Sequence, residues 1–199
     1  GAALKTIGMG LAARAGKLRQ HAAAKPRIDA ARCGGCGECV AVCPEGAIDH
    51  DAHRAAIDPE RCSGCGQCVT VCHLEAVRAD YGAHTRVLQE RIAEHALGAL
   101  HGKAGRLACV TFLLNVTANC DCLGFAEPPL FPDLGLLASA DPVAVDQAAC
   151  DLVRERTGRP IHAWCGRDLD PRWQLEHAEA LGVGSRRYRL RELSPADSD

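Results

Sequence analysis

Cys33-Gly34-Gly35-Cys36-Gly37-Glu38-Cys39-Val40-Ala41-Val42-Cys43-Pro44 and Cys62-Ser63-Gly64-Cys65-Gly66-Gln67-Cys68-Val69-Thr70-Val71-Cys72-His73 are two versions of one pattern. Each reads C-x2-C-x2-C-x3-C, the spacing of bacterial-type iron–sulfur ligands. Three thiolates at i, i+3 and i+6 wrap one corner of a cubane when the chain between them turns tightly. Gly35, Gly37, Gly64 and Gly66 supply that turn and bring backbone N–H groups up to sulfur with no Cβ in the way. Such N–H groups offset the negative charge of thiolates and cluster and help to set the potential. The two runs take eight of the chain's 13 cysteines and point to electron chemistry at two cubane clusters.

The repeat runs past the cysteines. Ile28-Asp29 precedes the first run as Ile57-Asp58 precedes the second. Arg32 matches Arg61, Val40 and Val42 match Val69 and Val71, and Ala47-Ile48 matches Ala76-Val77, all at an offset of 29 residues. Each unit reads as short strand, cluster loop, helical turn, short strand. Apolar side chains between the cysteines are too few for a core, so metal is expected to hold the region together. Zinc is one alternative, but four-cysteine zinc sites usually come as two separated C-x2-C pairs. A disulfide framework is another; an odd cysteine total and the lack of a visible secretory signal count against it.

On these residues the chain resembles the bacterial two-[4Fe-4S] ferredoxin domain, over about residues 26–80. The resemblance implies crossed ligation, because the fourth cysteine of each run lies beyond a helical turn and faces the other way. Cys33, Cys36, Cys39 and Cys72 are then expected on one cluster, and Cys62, Cys65, Cys68 and Cys43 on the other. One departure stands out. Cys43 is followed by Pro44, which fixes the chain's exit, whereas Cys72 is followed by His73, a titratable group without that restraint.

A net charge of −2 gives no general attraction to nucleic acid, and 4% aromatic residues make no stacking platform for bases. No apolar run approaches the roughly 20 residues of a membrane span. Abundant cysteine without a signal peptide fits a reducing cytoplasm. The expected partner is a redox protein or a small-molecule electron acceptor, with neither nucleic acid nor membrane. The chain begins at Gly1, its one methionine is Met9, and Gly1–Lys5 reads as the middle of something, so a longer parent chain is expected.

The flanks read as alternating helices and strands. Residues 2–15 suggest a helix softened at Gly8 and Gly10. The basic run Arg14–His21 suggests a solvated linker, or a contact for an anion. Asp49-His50-Asp51-Ala52-His53-Arg54 reads as a polar hairpin turn, with a metal site as the sharper alternative. Thr85–Leu100 has an amphipathic helical stripe. Arg106–Val116 and Leu134–Ser139 read as buried strands, with Cys109 a small core hydrophobe. Asp141 is placed to cap, and Pro142 to begin, a helix running to about Thr157 and closed by Gly158. Capping leaves Asp146 unexplained. Ile161–Cys165 reads as loop or strand, Pro171–Leu181 as a helix, Tyr188–Leu190 as a last strand, and Leu193–Asp199 as a frayed end. The fold class expected is an α+β ferredoxin-like two-cluster module, residues 26–80, inserted in a discontinuous α/β domain of residues 1–25 and 81–199.

Gly8-Met9-Gly10 with Arg14-Ala15-Gly16-Lys17, Asn119-Cys120-Asp121-Cys122, and Asp141 to Ala148 carry a second resemblance, to the ferredoxin-containing branch of domain-of-unknown-function family 362. It implies architecture more than chemistry. Members that resemble this chain usually extend further on the N-terminal side. Cys120 and Cys122 suggest a third metal site with Asp121, Cys165 or His162, or else two ordinary cysteines in a tight loop. If the two apolar strands are parallel neighbours, Cys120, Asp121 and Cys122 share a cleft with Asp141 or Asp146 at their carboxyl edge, opening towards the cluster module. The leading expectation is an iron–sulfur electron-transfer protein or redox subunit with two [4Fe-4S] clusters. Its rival is an oxidoreductase or metal-centre assembly enzyme working through Cys120, Asp121, Cys122, Asp141, Asp146 and His21.

Overall fold

The computed structural model describes residues 2–21, 25–51, 53–79, 85–103, 105–119, 127–165 and 169–193. In chain order the helices and strands are α1 (Ala2–Lys5), α2 (Arg14–Gln20), β1 (Arg27–Ile28), α3 (Glu38–Ala41), β2 (Ile48–His50), β3 (Ala55–Ile57), α4 (Gln67–Val71), β4 (Val77–Arg78), α5 (Thr85–Leu100), β5 (Cys109–Leu113), β6 (Gly135–Ser139), α6 (Pro142–Thr157), α7 (Ile161–Cys165) and α8 (Arg172–Ala180). A π-helical turn, Thr6–Gly10, follows α1 and takes up the two glycines. The fold is mixed α and β, with its described strands in three small two-stranded antiparallel sheets. It divides into two compact units, residues 9–91 and residues 1–8 with 92–199.

The smaller unit keeps the symmetry of its sequence. β1 pairs with β4 and β2 pairs with β3. Ile28 faces Val77, and the equivalent Ile57 faces Ile48. Asp29 N–H donates to Ala76 O at 2.8 Å, and the equivalent Asp58 N–H donates to Ala47 O at 2.9 Å. Arg32 reaches Leu74 O and Glu75, as Arg61 reaches Gly46 O and Asp49. The strand entering one cysteine run therefore pairs with the strand leaving the other. The apolar cluster beneath is small, and Cys39 and Cys68 are among its five buried residues, with Ile48, Ala55 and Val77.

The larger unit is built around α6. This helix packs against α1, β5, β6, α7 and α8. Val143, Val145 and Val153 are buried with Leu4, Leu175 and Phe131, and each large apolar side chain contributes roughly 1.5–3 kcal/mol by leaving water. Asp141 caps α6, accepting from Val143 N–H at 2.8 Å and Ala144 N–H at 3.0 Å. Pro142 stands at the first helical position, and Gly158 closes the helix in the left-handed conformation.

Several expectations about the flanks are corrected. Arg14–Gln20 is helix, not linker; Lys17, Leu18, Arg19 and Gln20 are all good helix formers. β5 and β6 are half-buried rather than buried. Cys109, Thr111, Leu113 and Leu137 face in, while Val110, Phe112 and Leu136 face out, because the ribbon has one helix-covered face. The two strands are antiparallel, not parallel. Ile161–Cys165 is a short helix, and Tyr188–Leu190 forms no strand. Residues 194–199 lie outside the described residues. Cys109 is buried core, and that burial raises its thiol pKa. No helix among the described residues is long and apolar enough to cross a membrane.

Candidate metal centres

The crossed strand pairing brings the cysteines together in two crossed sets. One hollow is lined by Cys33, Cys36 and Cys39 from the first run and Cys72 from the second, around about 350 Å³ of empty space. The other is lined by Cys62, Cys65 and Cys68 from the second run and Cys43 from the first, around about 300 Å³. A short helix in each half makes the crossing. α3 lies between Cys36 and Cys43, and α4 ends just before Cys72. Gly37 and Gly66 precede these helices with φ of 77° and 71°, a left-handed conformation that a side chain would strain.

Two of the thiols accept from nearby amides. Cys43 Sγ accepts from Ala47 N–H at 3.3 Å, and Cys62 Sγ accepts from Gly64 N–H at 3.4 Å. Burial pushes the Cys68 thiol up to about 11, and the neighbouring Cys65 and Cys62 add to the shift. Cys39 is raised in the same way, first by burial and also by Cys36 and Cys33. Thiols this reluctant to ionise need a cation to ionise against, and metal binding displaces their protons.

The spread of the thiols bears on which metal fits. Tetrahedral zinc at Zn–S of about 2.3 Å holds its sulfurs about 3.8 Å apart. Among the described residues, the one group of three or more His, Cys, Asp or Glu ligand atoms lying within 4.8 Å of one another is Cys36, Glu38 and His73. Neither hollow holds such a group among the described residues. A cubane, with irons and sulfides standing between the thiolates, takes a wider set. The cysteine-only donor set, the shielding amides and the two hollows all fit such a cluster.

His73, where the first run has proline, pairs with Glu38 across 3.4 Å. The histidine is legible as the departure from the repeat, but its partner is not, because Glu38 lies in the other run. The hairpin at Asp51 is a polar turn: Asp51 accepts from His53 N–H and Arg54 N–H at 2.9 and 2.8 Å, while Ala52 lies outside the described residues. His50 Nε2 lies 2.8 Å from Gly35 O.

The other candidate site residues part company. Cys120, Asp121 and Cys122 lie outside the described residues, so a site that joins them to Cys165 or His162 has no geometry. The parallel-sheet premise for their sharing a cleft with Asp141 or Asp146 is overturned. Leu113, where β5 ends, faces Gly135, where β6 begins. The chain thus leaves β5 at one end of the ribbon and reaches Asp141 at the other. Asp141 is fully used by the fold, since its second oxygen accepts from Ser185 N–H at 2.8 Å. Asp146 is buried and accepts from Ala3 N–H and Leu4 N–H. His21 ends α2, its N–H bonded to the carbonyls of Lys17 and Arg19.

Searches of curated proteins and of solved structures return no match for this chain. The family described as "Domain of unknown function (DUF362)" matches residues 1–151, a span holding both cysteine runs, the ribbon and the capped start of α6. The chain belongs to the DUF362 family.

Proposed function

We propose that the chain is an iron–sulfur electron-transfer protein or redox subunit with a ferredoxin-like unit that carries two [4Fe-4S] clusters. Cys33, Cys36, Cys39 and Cys72 hold the first, and Cys62, Cys65, Cys68 and Cys43 the second. The observation that carries this reading is the pair of hollows, each lined by three cysteines of one run and the fourth of the other. When bound, each cluster supplies one-electron chemistry at a potential between roughly −700 and +450 mV. The chain's own part is to hold eight thiolates at the spacing a cubane needs, to aim amides at sulfur and to keep bulk water from the buried Cys39 and Cys68. The electrons go to a redox partner protein or a small-molecule acceptor in a reducing cytoplasm. The rival enzyme reading is weakened by the structural duties of Asp141 and Asp146.

Protein purified without oxygen tests this directly. The expected content is about eight iron and about eight acid-labile sulfide per chain, with a brown colour that bleaches on reduction. Stoichiometric zinc without sulfide overturns the reading.

A further inference from the structure

The larger unit contains a polar cavity whose chemistry is unlike that of the cysteine runs. The later turns of α6, the start of α7, the start of α8 and the segment at Arg186 surround a cavity of about 470 Å³, open on one side. Three guanidinium groups line it, from Arg154, Arg172 and Arg186, against two carboxylates, from Asp151 and Asp170.

The carboxylates are already occupied. Asp151 Oδ1 accepts from Arg154 at 3.2 Å, and its Oδ2 accepts from Gln147 Nε2 at 3.1 Å and Tyr188 O–H at 3.0 Å. Asp170 Oδ1 accepts from Arg172 N–H at 2.9 Å, and its Oδ2 takes Arg172 Nε and Nη2 at 2.8 and 2.5 Å. Arg172 in turn holds the Asp170 carboxyl below the usual carboxylate range. Donors are left over. These bonds engage one nitrogen of Arg154 and two side-chain nitrogens of Arg172, and Arg186 gives Nε to Gln147 and Nη1 to Glu176. Each guanidinium carries five N–H donors and no acceptor. Cys150, on the α6 wall, adds no charge near neutral pH, because burial holds its thiol pKa at about 11. Among the described residues, the bonds to these carboxylates leave guanidinium donors of the lining unused.

We propose that this cavity binds a small anion through a phosphate or carboxylate group, with Arg154, Arg172 and Arg186 as its cations. Guanidinium forks match both oxyanions in bidentate geometry. Ile161 and Pro171 in the lining offer an apolar surface to the rest of an organic ligand.

Calorimetric titration of the full chain, purified without oxygen, with inorganic phosphate and separately with succinate tests the proposal. One saturable site is expected for at least one of them, and whichever binds assigns the oxyanion. R154Q and R186Q should each weaken it at least tenfold. R154Q breaks only an exposed pair with Asp151, so it keeps the test independent of folding. R159Q removes a cation that stacks on Trp164, 4.7 Å from the ring centroid and outside the cavity lining, and should leave binding unchanged. No saturable heat with either anion, or equal weakening by R159Q and R154Q, overturns the proposal. Iron and sulfide measured in the same samples report on the clusters separately, so either idea fails alone.

Discussion

Asp146 caps a helix far from it in the chain: its Oδ1 accepts from Ala3 N–H, 143 residues before it, at 2.8 Å and its Oδ2 from Leu4 N–H at 2.9 Å. A helix leaves its first amides without intrahelical partners. A buried carboxylate from the first turns of α6 partners them here and meets the positive end of the α1 dipole. Asp146→Ala leaves two buried N–H groups unsatisfied. The expected loss is about 3 kcal/mol in denaturant unfolding, with a smaller loss in Asp146→Asn, which keeps one oxygen. A variant as stable as the parent would show that the tie carries no weight.

Gly184 and Gly98 should respond to alanine with opposite signs. A Cβ at Gly184 would stand 2.0 Å from Asp141 Oδ1, the oxygen that caps α6. Gly184→Ala must displace the loop or break the cap, at a cost of about 1–2 kcal/mol. Gly98 lies within α5 with no described residue within 4 Å of its missing Cβ. Gly98→Ala should gain about 0.5–1 kcal/mol. Thermal melts of the pair check both.

In the proposed crossed ligation, Cys43 would serve the set it is not sequential with. In Cys43→Ala, the cluster expected to suffer is the one held by Cys62, Cys65 and Cys68. Electron paramagnetic resonance on variants that also lack one cysteine of either run would identify the surviving cluster. Loss confined to the set of Cys33, Cys36 and Cys39 would refute the crossing.

Alkaline pH should expose Cys150. Burial raises its folded pKa from 9.0 to about 11, with the Asp146, Asp151 and Asp170 carboxylates contributing. The unfolded thiol ionises first, so this contribution to stability is fully present below about pH 9 and is lost as pH rises to about 11. Between those limits Cys150→Ser should lose about 2 kcal/mol less than the parent, since each tenfold weakening of an acid is worth at most about 1.36 kcal/mol. Stability curves that run parallel for the two proteins would contradict a raised thiol.

The cysteine geometry is legible because it is written locally and twice. Spacing alone separates the first three thiols of each run from the fourth, and the 29-residue offset predicts that both halves fold alike. The α6 cap is legible for the same reason, since Asp141 and Pro142 act within one turn. Asp146 is not, because its partners are backbone amides at the other end of the chain. Strand direction is misleading in the sequence: apolar content suggests strands buried on both faces, whereas Val110 and Phe112 are exposed on an antiparallel ribbon. The arginine-lined cavity leaves no sequence signal at all. Its charged residues come from three separate stretches, and each stretch alone reads as an ordinary solvated face.

The exchange of strands between the two halves of the smaller unit has an evolutionary reading. Cut at the Asp51–Arg54 hairpin, neither half owns four thiols around one hollow, and neither strand pair is left whole. A single ancestral half would have had to clasp a second copy of itself, lending its last cysteine and its exit strand in return for the same loan. The present chain has the form of that symmetric dimer made covalent, with the hairpin as the splice and His73 facing Glu38 as one place where the two copies have since diverged.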